Sequence, residues 1–215
     1  MRFLISERPG YNVETDICQK SSVKNHTNGD TCDCFRDDYG NVYMVISDGM
    51  GTGDEASEYS RMAVSYFRKL ILGGVDITQC IRIINSMLLT RKADECFATL
   101  DVVKIDLDTG GMTVYKSGAA PTLFRHNGSV FSVSSSTYPL GISEEYVPYS
   151  KSLALRVGDA VAMISDGVPE EAYGIIRREL NENKDISTIS ENICRIAGKI
   201  SNDDISVIAA RLIRQ

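Results

Sequence analysis

No apolar run in this chain reaches the roughly 18 residues that a membrane-spanning helix requires, so no membrane contact is expected from it. No tract is basic enough to grip nucleic acid either. The 215 residues carry 23 Lys and Arg against 29 Asp and Glu, a formal charge of -6, which disfavours nucleic-acid binding. Met1-Arg2-Phe3-Leu4-Ile5 runs at once into Ser6-Glu7-Arg8, without the apolar core of a secretory leader, so a cytoplasmic setting is expected. Low-complexity tracts, fixed-period repeats and dividing linkers are missing. The length suits one domain over residues 1–215, with 1–10 as a tail or linker remnant. Histidine is scarce: His26 and His126 are the two present. His126 stands in His126-Asn127-Gly128, a tight-hairpin signal, and reads as an exposed turn residue. The six cysteines form no disulfide frame. Cys80 and Cys194 fall in helical patterns, Cys18 and Cys96 beside strand-like ones, as small buried apolar residues would. Cys32-Asp33-Cys34 with His26 nearby hints at zinc, but C-x-C without a second pair is a poor zinc signature.

What the chain does have is acids at strand ends. Val45-Ile46-Ser47-Asp48-Gly49-Met50-Gly51 is an apolar strand that stops at a carboxylate followed by glycine. Val161-Ala162-Met163-Ile164-Ser165-Asp166-Gly167-Val168 repeats the shape, Asn202-Asp203-Asp204-Ile205-Ser206 gives a third acidic corner, and Gly29-Asp30 an earlier one. Ionised carboxylates gathered at one rim repel by about 4 kcal/mol per pair at 4 Å and an effective dielectric near 20. Such a rim calls for a cation, and oxygen ligands favour a hard one, Mg²⁺ or Mn²⁺.

Taken in order, residues 11–18 alternate as a strand, and 30–35 and 42–46 form a hairpin around Asp37-Asp38-Tyr39-Gly40-Asn41. Antiparallel pairing would put Asp30 and Asp48 at the same end. A helix from Asp54 to Leu72 buries a stripe that includes Tyr59, Tyr66 and Phe67. Gly73-Gly74 ends it, and Asp76 caps a second helix to Thr90 with Gln79 three residues on. Strands are expected over 97–105, 112–116, 122–125 and 129–133. Residues 153–156 and 160–164 read as a hairpin around Gly158-Asp159. Helices follow Pro169 and cover 189–200, and 205–212 closes as a strand. Two helix pairs with enough antiparallel strands for two sheets predict an α+β fold, an α-β-β-α sandwich.

Ser47-Asp48-Gly49-Met50-Gly51, the helix pair, Ser117-Gly118-Ala119-Ala120-Pro121, Pro139-Leu140-Gly141-Ile142, Ser165-Asp166-Gly167-Val168 and Asn202-Asp203-Asp204-Ile205-Ser206 together resemble the metal-dependent 2C-type protein serine/threonine phosphatases. Within them, the resemblance is to the stage II sporulation E group. It covers the chain from about Tyr11 onward and implies the same sandwich fold. It also implies two Mn²⁺ or Mg²⁺ ions bridged by Asp48, with the Gly49 carbonyl, Asp30, Asp166 and Asp203 as further ligands. Asp204 stands where relatives carry Asn. Asp48, Asp166 and Asp203 are thereby implied in catalysis, which is hydrolysis of phosphoserine by water without a covalent enzyme intermediate. The implied partner is a phosphorylated anti-anti-sigma factor in sigma-factor control. A homodimer contact, and a place as the cytosolic part of a membrane-anchored parent, are compatible with the resemblance. Two departures stand out: Met50 occupies a position where eukaryotic relatives often carry a proton-donating His, and the phosphate-gripping arginine of those relatives has no match. They leave a second reading open, a phosphoprotein-binding module of the same fold with weak catalysis. Asp101 alternates with apolar neighbours and could face the rim; it is left out of the expected site.

Overall fold

The computed structural model describes residues 9–22, 27–50, 54–90, 97–182 and 184–215. The chain opens with strands β1 (Tyr11–Lys20), β2 (Asp30–Arg36) and β3 (Asn41–Asp48), then helices α1 (Asp54–Leu72) and α2 (Ile77–Thr90). Strands β4 (Leu100–Asp106), β5 (Gly111–Ser117), β6 (Thr122–His126), β7 (Ser129–Val133), β8 (Tyr149–Ala154) and β9 (Ala160–Ile164) come next. A short 3-10 turn (Glu170–Ala172), α3 (Tyr173–Asn181), α4 (Ile186–Ile200) and β10 (Ile205–Arg214) complete it. The strands form two five-stranded sheets, ordered β1-β10-β9-β6-β7 and β2-β3-β4-β5-β8. Every pairing within them is antiparallel.

Three apolar layers hold the sheets and helices together. Alternate residues of β3 explain why: Val45 belongs to the cluster that includes Phe67, Ile81 and Leu88 of α1 and α2, while Met44 and Ile46 belong to the one between the sheets, with Met163 and Ile208. Because both faces are covered, β3 reads as a continuous apolar run with no polar alternation. On the far side, Ala162, Ile164 and Val207 pack on Ile176, Leu180, Ile189 and Ile193 of α3 and α4. The result is the α-β-β-α sandwich the sequence predicts. Among the described residues no helix is long and apolar enough to cross a membrane.

Local signals explain most element ends. Gly74, at φ +81°, closes α1 while the Val75 and Gly74 N–H groups return to the carbonyls of Leu70 and Ile71, a left-handed cap that glycine adopts cheaply. Asp76 accepts the N–H groups of Thr78 and Gln79 at the start of α2. Asn127 and Gly128, both at positive φ, turn β6 into β7.

Three expectations need correction. Residues 153–156 and 160–164 are no hairpin: β8 spans Tyr149–Ala154 and pairs with β5 in one sheet, while β9 pairs with β10 and β6 in the other. The Gly158-Asp159 turn therefore carries the chain across the sandwich. Tyr66 is 37 % exposed although Tyr59 and Phe67 are buried. Tyr66 and Phe67 are neighbours 100° apart on a helix, and only Phe67 points inward. His126 is a partly buried hydrogen-bond partner, with Nδ1 2.7 Å from the Oδ2 of buried Asp159.

Candidate active site

Each sheet delivers two acids to one end of the sandwich. In the β2–β3 hairpin Asp30 is the register partner of Asp48. The turn fixes that register, since Asp37 accepts the N–H groups of Tyr39 and Asn41 on Oδ1 and the Tyr43 hydroxyl on Oδ2. A slip of one residue would send either acid to the opposite face. Asp48 is held by its neighbour strand: its N–H donates to Thr99 Oγ1 at 2.9 Å, the Thr99 N–H donates back to its carbonyl at 2.8 Å, and the Ser47 hydroxyl donates to the Thr99 carbonyl at 2.7 Å. Gly49 has no alternative, because a Cβ there would lie 1.8 Å from the Ala56 carbonyl oxygen.

The other sheet builds its pair from β9 and β10. The Ser165 N–H donates to the Ser206 carbonyl and the Ser206 N–H to Ser165 Oγ, both at 2.9 Å. This pins the Asp166 corner to the segment that carries Asp203. Gly167 is as constrained as Gly49: a Cβ would lie 1.9 Å from the Asp204 carbonyl oxygen.

Asp48 is the centre of the group. Its carboxyl lies within hydrogen-bonding reach of both Asp30 and Asp166 and feels the charge of Asp203. Burial, then the charges of Asp166, Asp30 and Asp203, push Asp48 up to about 8 from the ordinary 3.8. Burial likewise carries Asp30 to about 7, against the hydroxyls of Ser165 and Ser206, which favour its charged form. Asp166 is raised as well, through lost hydration and the Asp203 charge. Like charges this close cannot all stay ionised unaided; protons or a cation must enter. Asp30 is 5 % exposed, and its Oδ2 has no hydrogen-bond partner among the described residues. An orphaned buried carboxylate oxygen in an all-oxygen donor set fits a hard divalent cation. The acids meet pairwise through Asp48, and among the described residues no three acidic, His or Cys side chains close into a tight ready-made cage.

The remaining expected residues are placed as follows. Met50 is 45 % exposed at the rim and its N–H donates to the Phe97 carbonyl. Asp204 is buried, and its carboxylate accepts backbone N–H groups. Cys32 and Cys34 are partly buried with thiols pushed up by burial, Cys34 to about 12, as suits inert packing. His26, Cys96 and Gly51 lie outside the described residues.

Sequence reasoning missed Lys116. Its ammonium is fully buried and donates to Asp101 Oδ2 at 2.7 Å, an oxygen that also accepts from Thr122 Oγ1 at 2.8 Å. Burial pushes the Asp101 carboxyl up and Lys116 pulls it back. Asp101 lines a small cavity, with room for roughly one water, that it shares with Asp48, Asp166, Thr99 and Ser165. Counting back from the Asp108–Gly111 turn sets Asp101 opposite Lys116, so hairpin register was the available signal.

The family model for stage II sporulation protein E (SpoIIE) matches residues 38–213. Stage II sporulation protein E of Priestia megaterium is 29 % identical over 214 residues, 94 % of this chain and 37 % of that protein. The Bacillus subtilis (strain 168) protein of the same name is 28 % identical over 94 % of this chain and 26 % of its own length. The chain thus spans between a quarter and two fifths of these relatives. A solved structure of the PP2C phosphatase domain and a fragment of the regulatory domain of the cell fate determinant SpoIIE from Bacillus subtilis superimposes with a TM-score of 0.85 at 26 % identity, covering 97 % of this chain and 66 % of that one.

Proposed function

The chain belongs to the stage II sporulation protein E family and carries its PP2C-type serine/threonine phosphatase fold, and from that premise we propose that it hydrolyses phosphoserine on a regulatory partner protein, an anti-anti-sigma factor, with Mn²⁺ or Mg²⁺ at the acidic rim. The observation that carries this reading is the meeting of Asp30 and Asp166 at Asp48, with Asp203 beside them and an Asp30 oxygen left without a partner among the described residues.

In this reading Asp48, Asp30, the Gly49 carbonyl, Asp166 and Asp203 would hold the ions. Bound divalent ions supply Lewis acidity and an activated water at neutral pH. The chain's own work is positional. Thr99 and Ser47 keep the Asp48 carboxylate at the strand end, and the Ser165–Ser206 exchange keeps Asp166 level with Asp203. Met50, a thioether, has no proton to give, so the serine leaving group takes its proton from water or from the partner.

The test is hydrolysis of an anti-anti-sigma protein phosphorylated on serine, with Mn²⁺ present, by wild type and by Asp48→Asn. A loss of about a thousandfold or more is expected; an unchanged rate contradicts the mechanism. Met50 favours one rival, a module of this fold that binds the phosphoprotein and releases no phosphate. Tight binding with no turnover at any Mn²⁺ concentration would establish it.

A further inference from the structure

Asp204 touches three of the four acidic corners. Its N–H donates to Asp203 Oδ1 at 2.8 Å. Its carboxylate accepts the Ser22 N–H on Oδ1 at 2.6 Å and the Gly29 N–H on Oδ2 at 2.7 Å. Its carbonyl oxygen stands where a side chain on Gly167 would be. Gly29 precedes Asp30, Gly167 follows Asp166, and Asp203 is its own neighbour. The fourth corner is one bond further on, since the Gly49 N–H donates to the Gly29 carbonyl at 3.3 Å.

The carboxylate is needed for this. Ser22 and Gly29 lie on the connection between β1 and β2, and a charged acceptor with two oxygens takes both N–H groups at once. An asparagine offers one acceptor oxygen and would turn an N–H group toward the other donor. Asp204 is 8 % exposed, so water does not readily substitute for either bond. Both oxygens of its carboxylate are thus taken up by backbone donors.

We propose that Asp204 is the positioning residue of the rim: it contacts neither ion nor substrate, and it fixes how far Asp30, Asp166 and Asp203 stand from one another. This rests on the reading of the rim as a divalent-ion site. The expected consequence of its loss is weaker ion retention, on the scale of about tenfold to a hundredfold seen when supporting residues behind metal ligands are removed.

The experiment is calorimetric titration of Mn²⁺ into the full chain as wild type, Asp204→Ala and Asp204→Asn, with metal-free melting measured alongside. The expected result is a Kd raised about tenfold or more in Asp204→Ala and less in Asp204→Asn. A purely structural role would lower the melting temperature and the folded fraction while leaving the Kd of that fraction unchanged, and this outcome overturns the proposal. If Asp204→Ala fails to fold, the isosteric Asp204→Asn decides, and a wild-type Kd in it overturns the proposal. Wild type that takes up Mn²⁺ beside variants that match it sinks this inference alone. Wild type that takes up none sinks it together with the metal reading.

Discussion

The tripeptide Ser-Asp-Gly is built twice in this molecule, and its two copies are supported differently. In both, an apolar strand ends in a buried serine whose hydroxyl is tied across to a neighbouring strand, at Ser47 to Thr99 and at Ser165 to Ser206. Both glycines have backbone where a side chain would go. The difference is what that backbone belongs to. Gly167 rests on Asp204, so the second corner is braced by the acidic segment it works with, inside its own sheet. Gly49 rests on Ala56 in the first turns of α1, an element of the outer helical layer. The sheet that carries β9 and β10 is thus self-braced at the rim, whereas the sheet that carries β2 and β3 depends on a helix on one side and on the Asp204 carboxylate on the other.

The largest expected effect probes the floor of the helix-braced half. Lys116→Met leaves the Asp101 carboxylate buried without its cation and should cost about 3–5 kcal/mol in unfolding free energy. Replacing both partners by apolar residues should restore most of it. Denaturant melts of the single and double variants check this, and a single variant as stable as wild type would show the pair to be dispensable.

The glycines sharpen the contrast directly. Gly49→Ala and Gly167→Ala should each destabilise by about 3 kcal/mol, because the colliding atom is backbone in both. They should differ in where the damage spreads. Hydrogen exchange should rise in α1 for Gly49→Ala and around β10 for Gly167→Ala. The same exchange pattern in both variants would mean that the two corners are braced alike.

The smallest effect is a pH dependence. The folded values of Asp30 and Asp48, about 7 and about 8, lie above the ordinary 3.8. The stability these groups allow is complete below about pH 4 and is lost as pH rises through both values. Metal-free protein should therefore melt lower at pH 8.5 than at pH 5.5. Asp48→Asn should flatten the slope and Mn²⁺ should reverse it. Scanning fluorimetry in chelator and in Mn²⁺ reads this, and a flat metal-free profile would contradict the crowding of carboxyls around Asp48.

What the sequence showed and what it hid follow the range of the interactions. The pairing of Asp30 with Asp48 was legible because a seven-residue register and a turn built on Asp37 are local. So were the caps at Gly74 and Asp76, and the acid-glycine corners. The crossing at Gly158-Asp159 was not legible, because a tight turn looks the same whether its strands pair together or enter different sheets. His126 was read from its turn alone, and its partner Asp159 lies 33 residues away. Between Asp203 and Asp204 the sequence favoured the first as a rim residue; the contacts that occupy the second come from Ser22 and Gly29, more than 170 positions back.

Four acids from two sheets are proposed to share divalent cations. The most direct measurement is anomalous diffraction at the manganese edge from crystals of the chain grown with Mn²⁺. Two peaks flanking the Asp48 carboxylate, one toward Asp30 and one toward Asp166 and Asp203, are the expected result. Manganese bound elsewhere, or a rim without anomalous signal at saturating Mn²⁺, would contradict it.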